Sequence, residues 1–277
     1  MKVVVAERAG MCFGVNRALE MVESVSSNSF AVATLGPLIH NPQVVKQLEE
    51  CGVSMVSDVS EQHSGTLVIP SHGTTQETIN RAVDAGLEVL NATCPFVANV
   101  HEKAANLIAE GYEVVVVGDP GHTEVKGIVS AAGNSALIVR NLEDTCEIDW
   151  SGKRVGLVSQ TTQKPESFGA IAGYIASQAR ELLAYNTICY STQERQRAAR
   201  ALAPEVDVMI VVGGRNSANT NRLSEICSEA QVPTYHVEVA SDISPDWLVG
   251  AEVVGLTAGA STPEWVIQEV KSRLEAL

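Results

Sequence analysis

Three cysteines share a setting that suits redox or metal chemistry. Cys12 in Gly10-Met11-Cys12-Phe13-Gly14, Cys94 in Ala92-Thr93-Cys94-Pro95-Phe96 and Cys189 in Thr187-Ile188-Cys189-Tyr190-Ser191 each stand where a strand should end and a helix begin. A cysteine at a helix N-terminus lies in the positive end of the helix dipole, which favours thiolate over thiol. Pro95 suits the first helical position, where its missing N–H costs nothing. Intervals of 82 and 95 residues assign the three to different modules. If they converge, three thiolates hold three irons of a cubane cluster and leave the fourth without a protein sulfur. Plain packing suits any one of them equally well, because cysteine is among the most buried residue types. The intervals match neither a zinc ribbon nor a ferredoxin run. Cys51 at an expected helix end, Cys146 in an expected acidic loop and Cys227 inside an expected helix lack the setting and read as packing residues.

Polar residues recur at the same kind of place. His40 in Ile39-His40-Asn41-Pro42, His72 in Ser71-His72-Gly73 and His122 in Gly121-His122-Thr123-Glu124 each precede an expected helix. A lone histidine is ordinarily a surface or core residue, but three at equivalent strand ends point to a shared pocket. His63, His101 and His236 are not so placed and read as structural. Ser217, Asn219 and Ser261 mark two more helix starts, where N-capping is the ordinary role, worth roughly 1 kcal/mol each. Capping and anion binding use the same backbone N–H groups, so these side chains with helix N-termini can cradle a diphosphate without lysine. Glu124 is the one carboxylate embedded in these loops. There it can deliver protons; elsewhere it would read as a solvated surface group.

The elements that must position these residues follow one rhythm: a short β-branched run, a polar or Gly-rich loop, then an amphipathic helix. Lys2–Val5, Thr66–Pro70, Glu113–Val117, Val155–Val158, Val208–Val212 and Val253–Leu256 are such runs, and a helix is expected from about Gln76 to Ala85. Strands that are apolar throughout and alternate with helices mean parallel sheets covered on both faces. Functional groups then collect at the carboxyl ends of the strands. The unit recurs too often for one five-stranded sheet, so several small α/β modules are expected to pack together.

The chain has 277 residues and a formal charge of −14, from 33 acidic against 19 basic residues. That argues against nucleic acid, whose phosphates are bound by clustered Lys and Arg. No stretch approaches the roughly 18 apolar residues of a membrane helix, and the start lacks a signal pattern. A cytoplasmic protein is expected, where six cysteines are not structural disulfides.

Met11-Cys12-Phe13-Gly14-Val15, Leu35-Gly36-Pro37-Leu38-Ile39-His40-Asn41-Pro42 and Ala92-Thr93-Cys94-Pro95-Phe96-Val97 resemble signature segments of the 4-hydroxy-3-methylbut-2-enyl diphosphate reductase family. So do Gly121-His122-Thr123-Glu124-Val125, Gln160-Thr161-Thr162, Thr192-Gln193-Glu194-Arg195-Gln196 and Thr257-Ala258-Gly259-Ala260-Ser261-Thr262-Pro263, in family order. The resemblance implies three parallel-sheet α/β modules (13–93, 94–188 and 189–277, with 1–12 as an added strand of the third) in pseudo-threefold arrangement around a central iron–sulfur cluster. It implies one 4Fe-4S cluster held by Cys12, Cys94 and Cys189, with its fourth iron open to the substrate's hydroxyl. It implies that His40, His72, Ser217, Asn219 and Ser261 hold the diphosphate with His122 beside them. Glu124 is then the proton source, and Thr161 or Thr162 orients the hydroxyl. Isopentenyl and dimethylallyl diphosphate are the implied products, formed by two-electron reductive dehydroxylation.

Three positions depart from the family pattern. Ala218 stands where a second serine is expected, Thr123 replaces a proline, and Tyr190-Ser191 replace an Asn-Ala pair. None removes a ligand or the acid; substrate affinity is what they touch. The family takes electrons from acidic flavodoxin- or ferredoxin-like donors. On a chain this acidic, a local basic patch of Arg195, Arg197 and Arg200 is the expected docking place. Two other readings compete: a cluster-bearing redox sensor, which needs the cysteines but not Glu124, and a mononuclear zinc hydrolase using cysteine with histidine.

Overall fold

A computed structural model describes residues 1–26 and 31–277. Among the described residues, most strands are followed by a helix. It opens with β1 (Lys2–Val5), α1 (Phe13–Ser26), β2 (Val32–Leu35), α2 (Pro42–Glu50), β3 (Val53–Val56), β4 (Thr66–Ile69), α3 (Gln76–Asp84) and β5 (Glu88–Asn91). Next come α4 (Pro95–Ala109), β6 (Glu113–Val117), α5 (Thr123–Ala131), β7 (Leu137–Val139), α6 (Leu142–Cys146), β8 (Arg154–Ser159), α7 (Pro165–Gln178) and β9 (Glu181–Ala184). The last stretch is α8 (Tyr190–Leu202), β10 (Val208–Val212), α9 (Ala218–Glu229), β11 (Thr234–Val237), β12 (Val253–Ala258) and α10 (Glu264–Glu275).

Among the described residues the strands form three four-stranded sheets: β3-β2-β4-β5, β7-β6-β8-β9 and β11-β10-β12-β1. Every pairing is parallel. The expected class, an α/β chain of small parallel-sheet modules, is what the chain adopts. The three orders are one order repeated. In the third sheet β1 takes the place that β5 and β9 take in the others.

By compactness the chain divides into two units: Met1–Asn16 with Ile39–Gln47 and Tyr190–Leu277, and Arg17–Leu38 with Leu48–Cys189. In the first unit, alternate residues of β10 serve two cores. Ile210 and Val212 pack with Val254, Leu256, Val266 and Val270, while Met209 and Val211 pack with Ala199, Leu223 and Cys227. A strand buried on both faces must be apolar at every position, as Val208–Val212 is.

The second unit carries the other two sheets. Around β6 the same alternation holds: Val114 and Val116 face Val100, Leu107 and Ile128 of α4 and α5, and Val115 and Val117 face Phe168, Ile171 and Ile175 of α7. Helix α4 follows the last strand of one sheet yet packs on the next. Its first turn, at Cys94, therefore belongs to both.

Candidate active site

Each of the three cysteines immediately precedes a helix, and each is fixed by the same backbone bond. Cys12 N–H donates to Ala260 O (3.0 Å), Cys94 N–H to Ser71 O (2.9 Å) and Cys189 N–H to Thr161 O (3.0 Å). The acceptors lie just past the ends of β12, β4 and β8, the strands that neighbour β1, β5 and β9 in the sheets. The repeat in topology is thus a repeat in cysteine placement. None of the three is in a disulfide, and all are half-buried.

The other cysteines differ. Cys51 and Cys146 are exposed, and Cys146 closes α6 rather than lying in a loop as expected, because Asn141 caps that short helix through the Asp144 N–H (2.8 Å). Cys227 is buried, and burial pushes its thiol up to about 12, which keeps it inert. The donor set therefore fits an iron–sulfur group at three positions. Among the described residues no three His, Cys, Asp or Glu side chains are placed to hold a single metal ion. A cubane cluster asks for something else, one sulfur per iron.

In the second unit Glu124 is the centre of the polar network. It is 3% exposed. Its carboxylate accepts the Thr161 N–H (2.6 Å) on one oxygen and the Thr161 hydroxyl (3.0 Å) on the other. Burial pushes its pKa up from 4.5 to about 7, against the downward pull of the two Thr161 donors. The group thus exchanges protons near neutral pH. Thr161 also supplies the carbonyl that holds Cys189, so a single residue spaces the acid from a cysteine.

His122 caps α5: its Nδ1 accepts the Glu124 N–H (3.2 Å), which assigns the remaining proton of a neutral ring to Nε2. The His72 ring stands edge-on to it with centroids 6.5 Å apart. Ser71, next to His72, holds Cys94. The second unit therefore brings together His72, His122, Glu124 and Thr161 with the anchors of two cysteines. Thr162 is half-buried beside Thr161.

The first unit gathers the rest. Ser217 caps α9, its hydroxyl accepting the Thr220 N–H (3.3 Å). The Ser261 hydroxyl donates to the main-chain oxygen of His40 (3.1 Å). Gly214 allows the His40 loop to approach, since a Cβ there would stand 2.4 Å from His40 O. Asn219, 4% exposed, has both side-chain amide atoms buried without a hydrogen-bond partner among the described residues. Leaving them so costs roughly 1–3 kcal/mol per group, and such a residue calls for a ligand.

Three positions have places in the structure that the sequence did not assign to them. Gln160 is fully buried; its Oε1 accepts the Asp119 N–H (2.9 Å) while its Nε2 has no partner among the described residues. His101, read as structural, wedges between the His72 loop and α5, and burial lowers its pKa so that the ring is held neutral. A Cβ on Gly127 would come within 2.8 Å of the His101 ring. We expect Gly127→Ala to lower stability by about 1–3 kcal/mol, measured by urea unfolding, through this overpacking. An unchanged midpoint would mean that the ring moves freely. Arg195 is the third. It is 6% exposed, so it cannot serve the donor-docking patch expected of it; Arg197 and Arg200 of that patch are exposed.

Known proteins resemble this chain along nearly its whole length. The LytB protein family model matches residues 3–275. The 4-hydroxy-3-methylbut-2-enyl diphosphate reductase of Pelobacter propionicus is 46% identical over 274 residues, covering 99% of this chain and 98% of that one. The reductase of the same description from Geobacter sulfurreducens is 47% identical over 275 residues, covering 99% and 97%. A solved (E)-4-hydroxy-3-methyl-but-2-enyl diphosphate reductase, described as the terminal enzyme of the non-mevalonate pathway, is 44% identical over the whole of both chains with a TM-score of 0.71. The reductase from Plasmodium falciparum, 27% identical, covers all of this chain and 87% of its own with a TM-score of 0.92.

Proposed function

The chain belongs to the LytB family and acts as a 4-hydroxy-3-methylbut-2-enyl diphosphate reductase, ending the non-mevalonate pathway, and on that premise we propose how its residues share the work. The family implies an iron–sulfur enzyme. Our reading is one 4Fe-4S cluster per chain, with Cys12, Cys94 and Cys189 giving a sulfur to each of three irons. Bound there, the cluster supplies electrons from an external donor and an iron that acts as Lewis acid toward the substrate's hydroxyl oxygen. The module limits 13–93, 94–188 and 189–277 with 1–12 are part of the same reading.

The overall change takes two electrons and two protons, breaks the allylic C–O bond, and releases water with isopentenyl or dimethylallyl diphosphate. The protein's part is to hold the diphosphate and to manage protons. His40, His72, Ser217, Asn219 and Ser261 bind the phosphate oxygens, helped by the N-terminus of α9 that Ser217 caps. Neutral donors of this kind bind an anion without the bulk positive charge that the chain lacks. His122, with its proton on Nε2, donates beside them. Glu124 supplies a proton from its carboxyl, and the two Thr161 donors then stabilise the carboxylate left behind. Thr161, or Thr162 next to it, orients the substrate's hydroxyl. The observation that carries the reading is the Glu124 carboxyl, held by both donors of the residue that anchors Cys189.

The donor is read as flavodoxin- or ferredoxin-like, docking at the exposed Arg197 and Arg200. No helix among the described residues is long and apolar enough to cross a membrane. We place the protein in the cytoplasm, a compartment that suits cysteines that form no disulfide.

The test is an anaerobic assay of the reconstituted chain with a chemical reductant and 4-hydroxy-3-methylbut-2-enyl diphosphate. Both isomeric products should form; an iron-loaded protein that consumes no substrate would refute the reading. Asn219→Leu gives a sharper check of the diphosphate site. It should raise KM about a hundredfold, by loss of roughly 2–3 kcal/mol of charge-assisted bonding, while making the substrate-free protein no less stable. A KM within twofold of wild type would remove Asn219 from the site.

A further inference from the structure

Beyond the ligands themselves, the segments leading into the cysteines are gripped by cations. Arg195 lies on α8, the helix that Cys189 precedes. Its Nε and Nη2 both donate to Gly10 O (3.1 and 2.5 Å), two residues before Cys12. Its Nη1 donates to Ser191 O (2.9 Å) and to the Ser191 hydroxyl, two residues after Cys189. Arg17 lies on α1, the helix that Cys12 precedes, and its Nη1 donates to Thr93 O (3.2 Å), the residue before Cys94. Helix α4, which Cys94 precedes, follows suit: Lys103 Nζ stands 4.8 Å from the centroid of the Tyr185 ring, four residues before Cys189.

We infer that Arg195 and Arg17 are positioning residues for the iron–sulfur cluster: each holds the backbone entering one cysteine ligand to the helix that follows another. The inference rests on the three-cysteine reading given above. Its physical basis is that a ligand binds well only when its segment is already fixed, and that partners around the ligands tune a metal group nearly as strongly as the ligands do. Arginine suits the task because its planar fork engages a carbonyl with two nitrogens and stays charged at every working pH. The cost of burying such a charge in Arg195 is one that packing alone would not require. A fixed positive charge beside the ligand segments also favours the reduced cluster, which carries one more negative charge. The helix-to-next-segment order recurs at each cysteine, so the ligand loops are coupled rather than set independently.

The test uses anaerobically reconstituted wild type, Arg195→Met, Arg195→Lys, Arg17→Met and Ser191→Ala, each first shown to melt cooperatively. Iron loss to a chelator and the cluster's reduction potential are measured, independent of turnover. Arg195→Met should lose iron about ten- to a hundredfold faster than wild type and titrate at a more negative potential. Arg195→Lys should restore the potential but only part of the retention, since it keeps the charge and loses the fork. If Arg195→Met does not fold, Arg17→Met and Ser191→Ala carry the test through faster iron loss in the same direction. Wild-type retention and potential in every folded variant would overturn the inference. A wild-type protein that takes up no iron and sulfide would instead overturn the cluster reading beneath it.

Discussion

Glu124→Gln should lower kcat about 10²- to 10⁴-fold while leaving the iron and sulfide content and KM near wild type. The range is what a positioned general acid contributes. Gln keeps the shape and the Thr161 contact but has no proton to give. Retained turnover would remove Glu124 as the proton source.

The same variant has a second signature in the cluster-free protein. Burial raises the Glu124 pKa from 4.5 to about 7, so the folded state favours the neutral acid. The stability this gives is complete below pH 4.5 and is lost as pH climbs to about 7, where ionising the buried group costs on the order of 3 kcal/mol. Urea unfolding should therefore show wild type and Glu124→Gln alike near pH 4.5 and the variant more stable at pH 8. Parallel pH profiles would mean that the carboxyl is solvated.

Cys94→Ser and Cys189→Ser should each abolish measurable turnover and bleach the visible absorption, because two sulfurs cannot hold the cluster that three do. Cys227→Ser provides the contrast. It introduces a hydroxyl among Ala199, Met209, Val211 and Leu223 and should cost about 1–3 kcal/mol of stability yet keep the cluster. Loss of colour in Cys227→Ser at a temperature where it stays folded would contradict the ligand assignment.

The central strands were legible because burial on both faces writes itself as an unbroken apolar run, as in Val208–Val212 and Glu113–Val117. Edge strands such as Glu88–Asn91 and Glu181–Ala184 are only half-buried and open on a Glu, so the sequence marked where they end, ahead of Cys94 and Cys189, but not their extent. Cysteine placement could be read from strand–loop–helix grammar, since Cys94-Pro95 announces a helix start. The partnership of Glu124 with Thr161 could not, because it joins residues 37 apart through a backbone N–H that has no sequence signal. Arg195 misled for a similar reason. The buried stripe of α8 is Thr192, Arg195, Gln196 and Ala199, so its periodicity is helical but its chemistry is that of a solvated face. The guanidinium that lies inside donates to the carbonyl of Gly10, 185 residues away, a partner with no sequence signal.

The most direct test of the three-cysteine cluster is the anaerobic iron and acid-labile sulfide content of the reconstituted chain, read with its visible spectrum. About four irons and four sulfides per chain with a broad band near ~410 nm are the expected result. A colourless chain without sulfide, after reconstitution under strict exclusion of oxygen, would contradict it.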